Sequence, residues 1–237
     1  MGMRPNVLSR RMYSSGRMLA SIGAIVLLFV LSGCRQGGGD GGSNPASGPP
    51  IVAAFFGDSI TAGYRIGTAA AFPALLEAEF REQGRAVRFL NAGVPGDTTT
   101  SALERLGSLL ELEPDLVVVE LGANDTLKNV PRSTTFKNLV SIVNQCRDAG
   151  ARVLLTGTRF VFTHPAYERY VTRMYEQVAK ETDVALLPDL LAGVSGIPRM
   201  NLPDGIHPSR VGHKAIAATL KPVLSGELDE IAKQNQK

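Results

Sequence analysis

The sequence predicts an α/β protein, a three-layer α/β/α sandwich around a five-stranded parallel sheet. Three observations carry this. From residue 51 onward, short β-rich runs alternate with longer amphipathic stretches. The β-rich runs are apolar continuously rather than at every second residue, which is the pattern of strands covered on both faces. The region 51–237 is about 187 residues long, enough for one full core, and shows no internal repeat.

The elements follow in order. Ile51–Phe56 is the first strand, and Phe72–Gln83 has the spacing of an amphipathic helix. Val87–Leu90 is the second strand, followed by a helix over Ser101–Leu112. Leu116–Glu120 is the third strand, and the helix over Thr134–Ala149 carries an apolar stripe of Phe136, Leu139, Val140, Val143 and Cys146. That stripe makes Cys146 a buried thiol rather than a ligand or a disulfide partner. Val153–Thr156 is the fourth strand. The helix after it, Ala166–Thr182, places Tyr167, Tyr170, Val171, Met174 and Val178 at i, i+3, i+4, i+7 and i+11. Val184–Leu187 is the fifth strand, and a last helix is expected from about Ser209 to Leu220. The charged, weakly apolar tail Glu227–Lys237 reads as a frayed end.

Composition limits the function classes. Hydrophobic residues make up 44% of the 237-residue chain and charged residues 20%, which excludes a disordered or collagenous protein. The net charge of +3 does not indicate a nucleic-acid partner. Residues 1–33 hold Arg4, Arg10, Arg11 and Arg17 and no acidic residue, so the remainder stands at −1.

The N-terminal segment reads as an address. An arginine-bearing stretch precedes the apolar run 18–31, which is shorter than the roughly 18 residues a membrane span requires. A basic region, a short apolar region and a small-residue exit describe a secretory signal over 1–33. The exit Leu31-Ser32-Gly33-Cys34 resembles the lipobox of bacterial lipoproteins. By that resemblance Cys34 is the lipid-attachment site and mature N-terminus, and the alternative is a plain signal peptide that contains a cysteine. Lipidated Cys34 leaves Cys146 without a disulfide partner and the chain without a cysteine-based metal site. Arg35 is not the aspartate associated with inner-membrane retention, which favours an outer-membrane anchor facing the periplasm. Residues 35–50 are rich in glycine and proline with no large apolar residue, a flexible tether spanning about 20–24 Å. The chain therefore divides into signal (1–33), lipidated cysteine and linker (34–50), and folded domain (51–237).

In open parallel sheets, ligands bind beyond the carboxyl ends of the strands. Gly57-Asp58-Ser59 follows the first strand, and the segment 91–99 with Gly96 follows the second. Gly122-Ala123-Asn124-Asp125 follows the third, and Asp204-Gly205-Ile206-His207 comes after the fifth. Each is small, polar and on the same sheet edge, and four together suggest a site. No G-x-x-x-x-G-K-[ST] or G-x-G-x-x-G pattern follows the first strand, so no cofactor is implied. Asp58, Asp97 and Asp125 read first as turn and cap residues, with ligation of a hard metal as the minor alternative.

These four blocks, in this order, resemble the motif set of the SGNH (GDSL-type) hydrolase superfamily. The segments 57–66, 91–99, 121–125 and 204–208 are most similar to its bacterial periplasmic thioesterase, lysophospholipase and arylesterase subgroup. The resemblance implies the flavodoxin-like sheet of that fold and a serine hydrolase. It makes Ser59 the nucleophile, with a helix N-cap as the plain alternative. It makes His207 the general base, oriented by Asp204 through the second ring N–H. His164 is the rival base, with no nearby acid until Glu168, and His213 reads as a surface or packing residue. The oxyanion donors implied are the backbone N–H groups of Ser59 and Gly96 and the side-chain amide of Asn124. As plain alternatives, Gly96 is a turn residue and Asn124 closes an Asx turn.

The loop 157–165 is expected to complete the pocket, with Phe160, Val161 and Phe162 as an apolar wall for an acyl chain or as packing beneath the next helix. The expected partner is a small-molecule acyl ester or thioester substrate, lipid-like in the leading reading. Two alternatives stay open, deacetylation of a carbohydrate and a non-catalytic ligand-binding lipoprotein.

Overall fold

The structure is a computed structural model that describes residues 49–159 and 165–236. Cys34, the expected signal over 1–33, most of the expected linker, the segment Phe160–Phe162 and the rival His164 lie outside the described residues.

Five parallel strands form one sheet: β1 (Ile51–Gly57), β2 (Val87–Gly93), β3 (Leu116–Glu120), β4 (Arg152–Thr156) and β5 (Ala185–Leu187), in the order β2-β1-β3-β4-β5. This is the flavodoxin-like order, whose switch point lies between β1 and β3. β2 runs three residues beyond the predicted end. Asn91, Ala92 and Gly93 look like loop by composition, yet they pair with Phe55, Phe56 and Gly57 and extend the ladder toward the site.

Alternate residues of the strands feed two cores. On one face Ala53, Phe55, Leu116, Val118 and Leu154 pack against α2 (Phe72–Glu82) and α7 (Arg210–Gln234). On the other, Ala54, Phe56, Val117, Val119 and Leu155 pack against α3 (Thr99–Leu110), α5 (Arg132–Asp148) and α6 (Pro165–Thr182). Cys146 sits fully buried in this second core as predicted, and burial pushes its thiol up to about 12. Met174 and Val178 of the α6 stripe are buried there too. Two one-turn helices, α1 (Ser59–Ala62) and α4 (Ala123–Leu127), follow β1 and β3 directly. They are too short to leave a periodic signature in sequence.

Helix boundaries follow local chemistry. α3 begins two residues earlier than predicted because Thr98 and Ser101 form a reciprocal capping box. The largest difference is α7, expected to stop near Leu220 and to be followed by a frayed tail. It continues through Pro222 to Gln234. An internal proline costs about 3 kcal/mol. Burying Leu224, Leu228 and Ile231 in the first core returns roughly 1.5–3 kcal/mol each. Arg152 and Arg85 also bond Glu227 and Asp229 at 2.9 and 2.7 Å, so the second half of the helix is tied to the sheet layer. No helix among the described residues is long and apolar enough to cross a membrane.

Candidate active site

The site lies at the carboxyl ends of β1, β2 and β3, across the switch point. β1 ends at Gly57, where a Cβ would stand 2.2 Å from Thr61 Oγ1 and 2.8 Å from Glu120. Only glycine admits so close an approach. Asp58 then leaves the strand with φ −105° and ψ −143° and caps α1, its carboxylate accepting from the Ile60 N–H. The cap is thus Asp58 rather than Ser59. Ser59 occupies the first helical position, where a backbone N–H has no partner within the helix.

Ser59 Oγ lies 3.1 Å from His207 Nε2, and His207 Nδ1 lies 3.0 Å from Asp204 Oδ2. An ionised carboxylate only accepts, so Nδ1 carries the hydrogen toward Asp204 and Nε2 faces Ser59 with its lone pair. The other Asp204 oxygen accepts from the backbone N–H groups of Ile206 and His207, both at 3.0 Å. Against the upward push of partial burial, those N–H groups and the imidazole hold the Asp204 carboxyl at about 2. Tyr64 packs beside the imidazole with ring centroids 4.6 Å apart.

A cavity of about 300 Å³ opens in front of Ser59 and His207, and Gly96 and Asn124 line it as well. The predicted residues Ser59, Gly96, Asn124 and His207 therefore meet in one pocket, with Asp204 directly behind the histidine. Gly96 has φ +85° and open space in front of its Cα, so a backbone conformation unfavourable to other residues is used here. The Asn124 Nδ2 donates to Asp58 Oδ2 at 3.0 Å and to the Asp97 carbonyl at 2.9 Å, which fixes the amide plane.

The three aspartates read as caps behave differently from one another. Asp125 is buried and caps α3 from a distance, accepting from the Thr99 N–H at 2.8 Å and from the hydroxyls of Thr99 and Thr135. Asp97 pairs with Arg105 at 2.6 Å and accepts from Ser101 Oγ. Asp58 is both a cap and the anchor of Asn124. His213 is a packing residue, fully buried, whose Nδ1 accepts from the Phe72 N–H at 3.2 Å.

Sequence reasoning passes over Glu120, at the end of β3 and directly behind Asp58. Its Oε2 accepts from Thr61 Oγ1 at 2.9 Å. The signal is present in the run Leu116-Val117-Val118-Val119-Glu120, a carboxyl group closing an otherwise apolar strand. Burial and then the neighbouring Asp58 charge raise Glu120 well above the usual carboxylate range. Burial likewise pushes Asp58 up to about 6, against the Ile60 N–H, which favours its charged form.

A three-layer α/β sheet presenting a hydrogen-bonded serine, histidine and aspartate beside a glycine and an asparagine defines the chain as a member of the serine-hydrolase class. Residues 55–215 match the GDSL-like lipase/acylhydrolase family, and the chain belongs to that family of ester-bond hydrolases. It is 38% identical over 174 residues to Esterase TesA of Pseudomonas aeruginosa, covering 71% of this chain and 87% of that protein. It is 37% identical over 163 residues to Thioesterase 1/protease 1/lysophospholipase L1 of Escherichia coli, covering 68% and 77%. Among solved structures, the crystal structure of TesA aligns with a TM-score of 0.72 at 35% identity, over 74% of this chain and 99% of that one.

Proposed function

We propose that the chain is a serine esterase that hydrolyses acyl esters or thioesters through an acyl-enzyme on Ser59. The observation that carries this reading is the unbroken relay from Ser59 Oγ through His207 to Asp204, opening on the cavity that Gly96 and Asn124 share. His207 Nε2 takes the Ser59 proton as Oγ attacks the acyl carbon. Asp204 accepts the Nδ1–H and stabilises the imidazolium that forms. The carbonyl oxygen, now negative, accepts from the N–H groups of Ser59 and Gly96 and from the Asn124 Nδ2 hydrogen that otherwise rests on the Asp97 carbonyl. Collapse expels the alcohol or thiol, which takes its proton from His207. Water then repeats the sequence and frees the carboxylic acid and Ser59.

Esters and thioesters present the same acyl carbon, which agrees with the similarity to an esterase and to a thioesterase/lysophospholipase. Leu127 and Ile206 line the cavity and are the apolar surfaces offered to an acyl chain. In this reading residues 1–33 export the protein, Cys34 anchors it by lipid in the periplasm at the outer membrane, and 35–50 tether the 51–237 hydrolase domain. Two or more acyl chains on one residue suffice for stable anchoring.

The test is hydrolysis by the full chain, beside Ser59→Ala, of aryl esters and acyl-CoA esters with chains of two to sixteen carbons. Turnover of medium or long chains that disappears in Ser59→Ala supports the reading. Activity confined to acetyl esters moves the substrate to carbohydrate acetates, and a folded protein with equal turnover in Ser59→Ala overturns the mechanism. Fractionation of Cys34→Ala tests the anchor, since the protein then leaves the membrane fraction.

A further inference from the structure

Two buried carboxyl groups lie beneath the pocket, and the relay uses neither. Asp58 and Glu120 are each 1% exposed, on β1's exit and β3's last position. Glu120 Oε2 accepts from Thr61 Oγ1 at 2.9 Å and lies 3.4 Å from the Asp58 backbone nitrogen. Glu120 Oε1 is buried and has no hydrogen-bond partner. A charged carboxylate with one oxygen wholly unsolvated is strongly disfavoured, so the stable form of Glu120 is the neutral acid.

Asp58 has the opposite surroundings. Its Oδ1 accepts from the Ile60 N–H at 2.9 Å and its Oδ2 from Asn124 Nδ2 at 3.0 Å. Both partners are donors, which suits an anion. The charged and titratable groups acting on Asp58 are Glu120 from β3, Asp97 from the loop after β2, and His207 from the loop before α7. Two adjacent carboxylates cannot both ionise cheaply, and one retained proton resolves the conflict. The pair thus holds one proton, on Glu120, and one charge, on Asp58.

We propose that Glu120 and Asp58 form a single-proton positioning pair, in which neutral Glu120 permits an anionic Asp58 whose carboxylate aims the Asn124 amide at the acyl oxygen. This rests on the reading of Asn124 as an oxyanion donor. The second hydrogen of the same nitrogen rests on the Asp97 carbonyl at 2.9 Å and passes to the substrate oxygen, while Asp58 keeps the first hydrogen and with it the plane of the amide. Donors fixed before charge develops need no reorganisation during the reaction, which is where such groups gain their effect. Neither carboxyl group is a catalytic residue in this scheme. Both act through Asn124.

The test is a double-mutant cycle on kcat for an aryl ester, using the full chain, with thermal midpoints recorded to confirm folding. Asn124→Ala is expected to lower kcat by about 10²–10³-fold. Asp58→Asn is expected to lower kcat by about tenfold or more with KM nearly unchanged, and to add nothing in the Asn124→Ala background. Losses that multiply in the double variant overturn the pair while leaving the oxyanion reading intact. A silent Asn124→Ala overturns the oxyanion reading and the pair with it.

Glu120 supplies a second arm should Asp58→Asn fail to fold. Glu120→Gln places an N–H donor where the neutral acid carries its hydrogen, whereas Glu120→Leu removes donor and acceptor alike. Glu120→Gln should retain about tenfold more kcat than Glu120→Leu, and that difference should vanish when Asn124 is alanine. If Gln and Leu are equally poor, Glu120 acts as an anion and the proposal is wrong.

Discussion

Arg105 Nε lies 2.6 Å from Asp97 Oδ2, and its Nη2 lies 3.1 Å from the carbonyl of Gly57. One guanidinium therefore ties the loop bearing Gly96 to the end of β1, two residues before Ser59, while its carbon stands 4.2 Å from the centre of the Phe56 ring. Asp97 is nearly buried, its side chain 8% exposed, and Arg105 is partly open at 26%. Removing one partner of a buried pair costs about 3–5 kcal/mol, and solvent at Arg105 reduces that figure here. Arg105→Met, which keeps the packing on Phe56, should lower stability by roughly 2 kcal/mol in urea unfolding. It should also lower kcat, because the Asp97 carbonyl anchors Asn124 and the preceding residue is Gly96. A stability loss with unchanged kcat would show that the loop keeps its geometry without the arginine.

Asp204 should matter to rate far more than to substrate binding. Its carboxylate fixes the His207 tautomer, and Asp204→Asn leaves a side chain that also donates and can select the wrong one. The comparable change in other serine hydrolases lowers kcat by about 10⁴-fold, and the 27% exposure of Asp204 sets that value as an upper bound here. Held at about 2, Asp204 stays ionised through the working pH range. It therefore sets no limb of a pH–rate profile above pH 3. An Asp204→Asn variant whose KM changes as much as its kcat would contradict this assignment.

His213 makes the fold sensitive to acid. Burial lowers it from 6.5 to about 4, so between those values the unfolded chain binds a proton that the folded chain does not. Stability is thus intact above about 6.5, falls as the pH drops, and stops falling from this source below about 4. The shift corresponds to roughly 3 kcal/mol. Asp58 works in the opposite sense over part of the same window, since its folded value is raised from 3.8 to about 6 and protonation there favours the folded state. Comparing wild type with His213→Gln separates the two. The variant, which keeps an acceptor for the Phe72 N–H, should lose less thermal stability than wild type between pH 7 and pH 4.5. Parallel losses would remove His213 from the account.

The close approach of β2 to the serine helix gives a fourth substitution test. A Cβ on Gly93 would stand 2.3 Å from the Ala62 nitrogen and 2.8 Å from the Asp58 carbonyl oxygen, all of it backbone. Asn91 Nδ2 already draws the same helix onto β2 through the Thr61 carbonyl at 2.8 Å. Gly93→Ala should therefore displace α1, lowering kcat even in protein that remains folded by circular dichroism. Full activity in Gly93→Ala would mean that the helix can retreat without moving Ser59.

The sequence makes the strands readable because each is a short apolar run, and it makes Ser59, Gly96, Asn124, Asp204 and His207 readable because each sits in a compact motif at one sheet edge. What it conceals is long-range pairing. Glu120 meets the Asp58 nitrogen across 62 positions and Arg105 meets the Gly57 carbonyl across 48, and neither has a local pattern that names its partner. Asn91–Gly93 is hidden for another reason. Small and polar residues lack strand propensity, and only the register with Phe55–Gly57 keeps them extended.

The C-terminal half of α7 puts that conflict between local and tertiary preference to the test. Pro222 and the charged composition beyond it argue locally for an end to the helix, and residues 227–237 look like a tail that nothing would notice losing. In the fold, Leu228 is fully buried and Ile231 is 4% exposed, both against the core that β1, α2 and the first half of α7 build. A frayed end would make Leu228→Ala silent. A docked helix makes it a core truncation, with an expected loss of roughly 2–5 kcal/mol. Gln234→Ala, six residues on and exposed, should stay within about 0.5 kcal/mol of wild type. Urea unfolding of the two variants decides the matter. A large loss confined to Leu228→Ala means tertiary burial carries the helix past its proline, and equal small effects mean it does not.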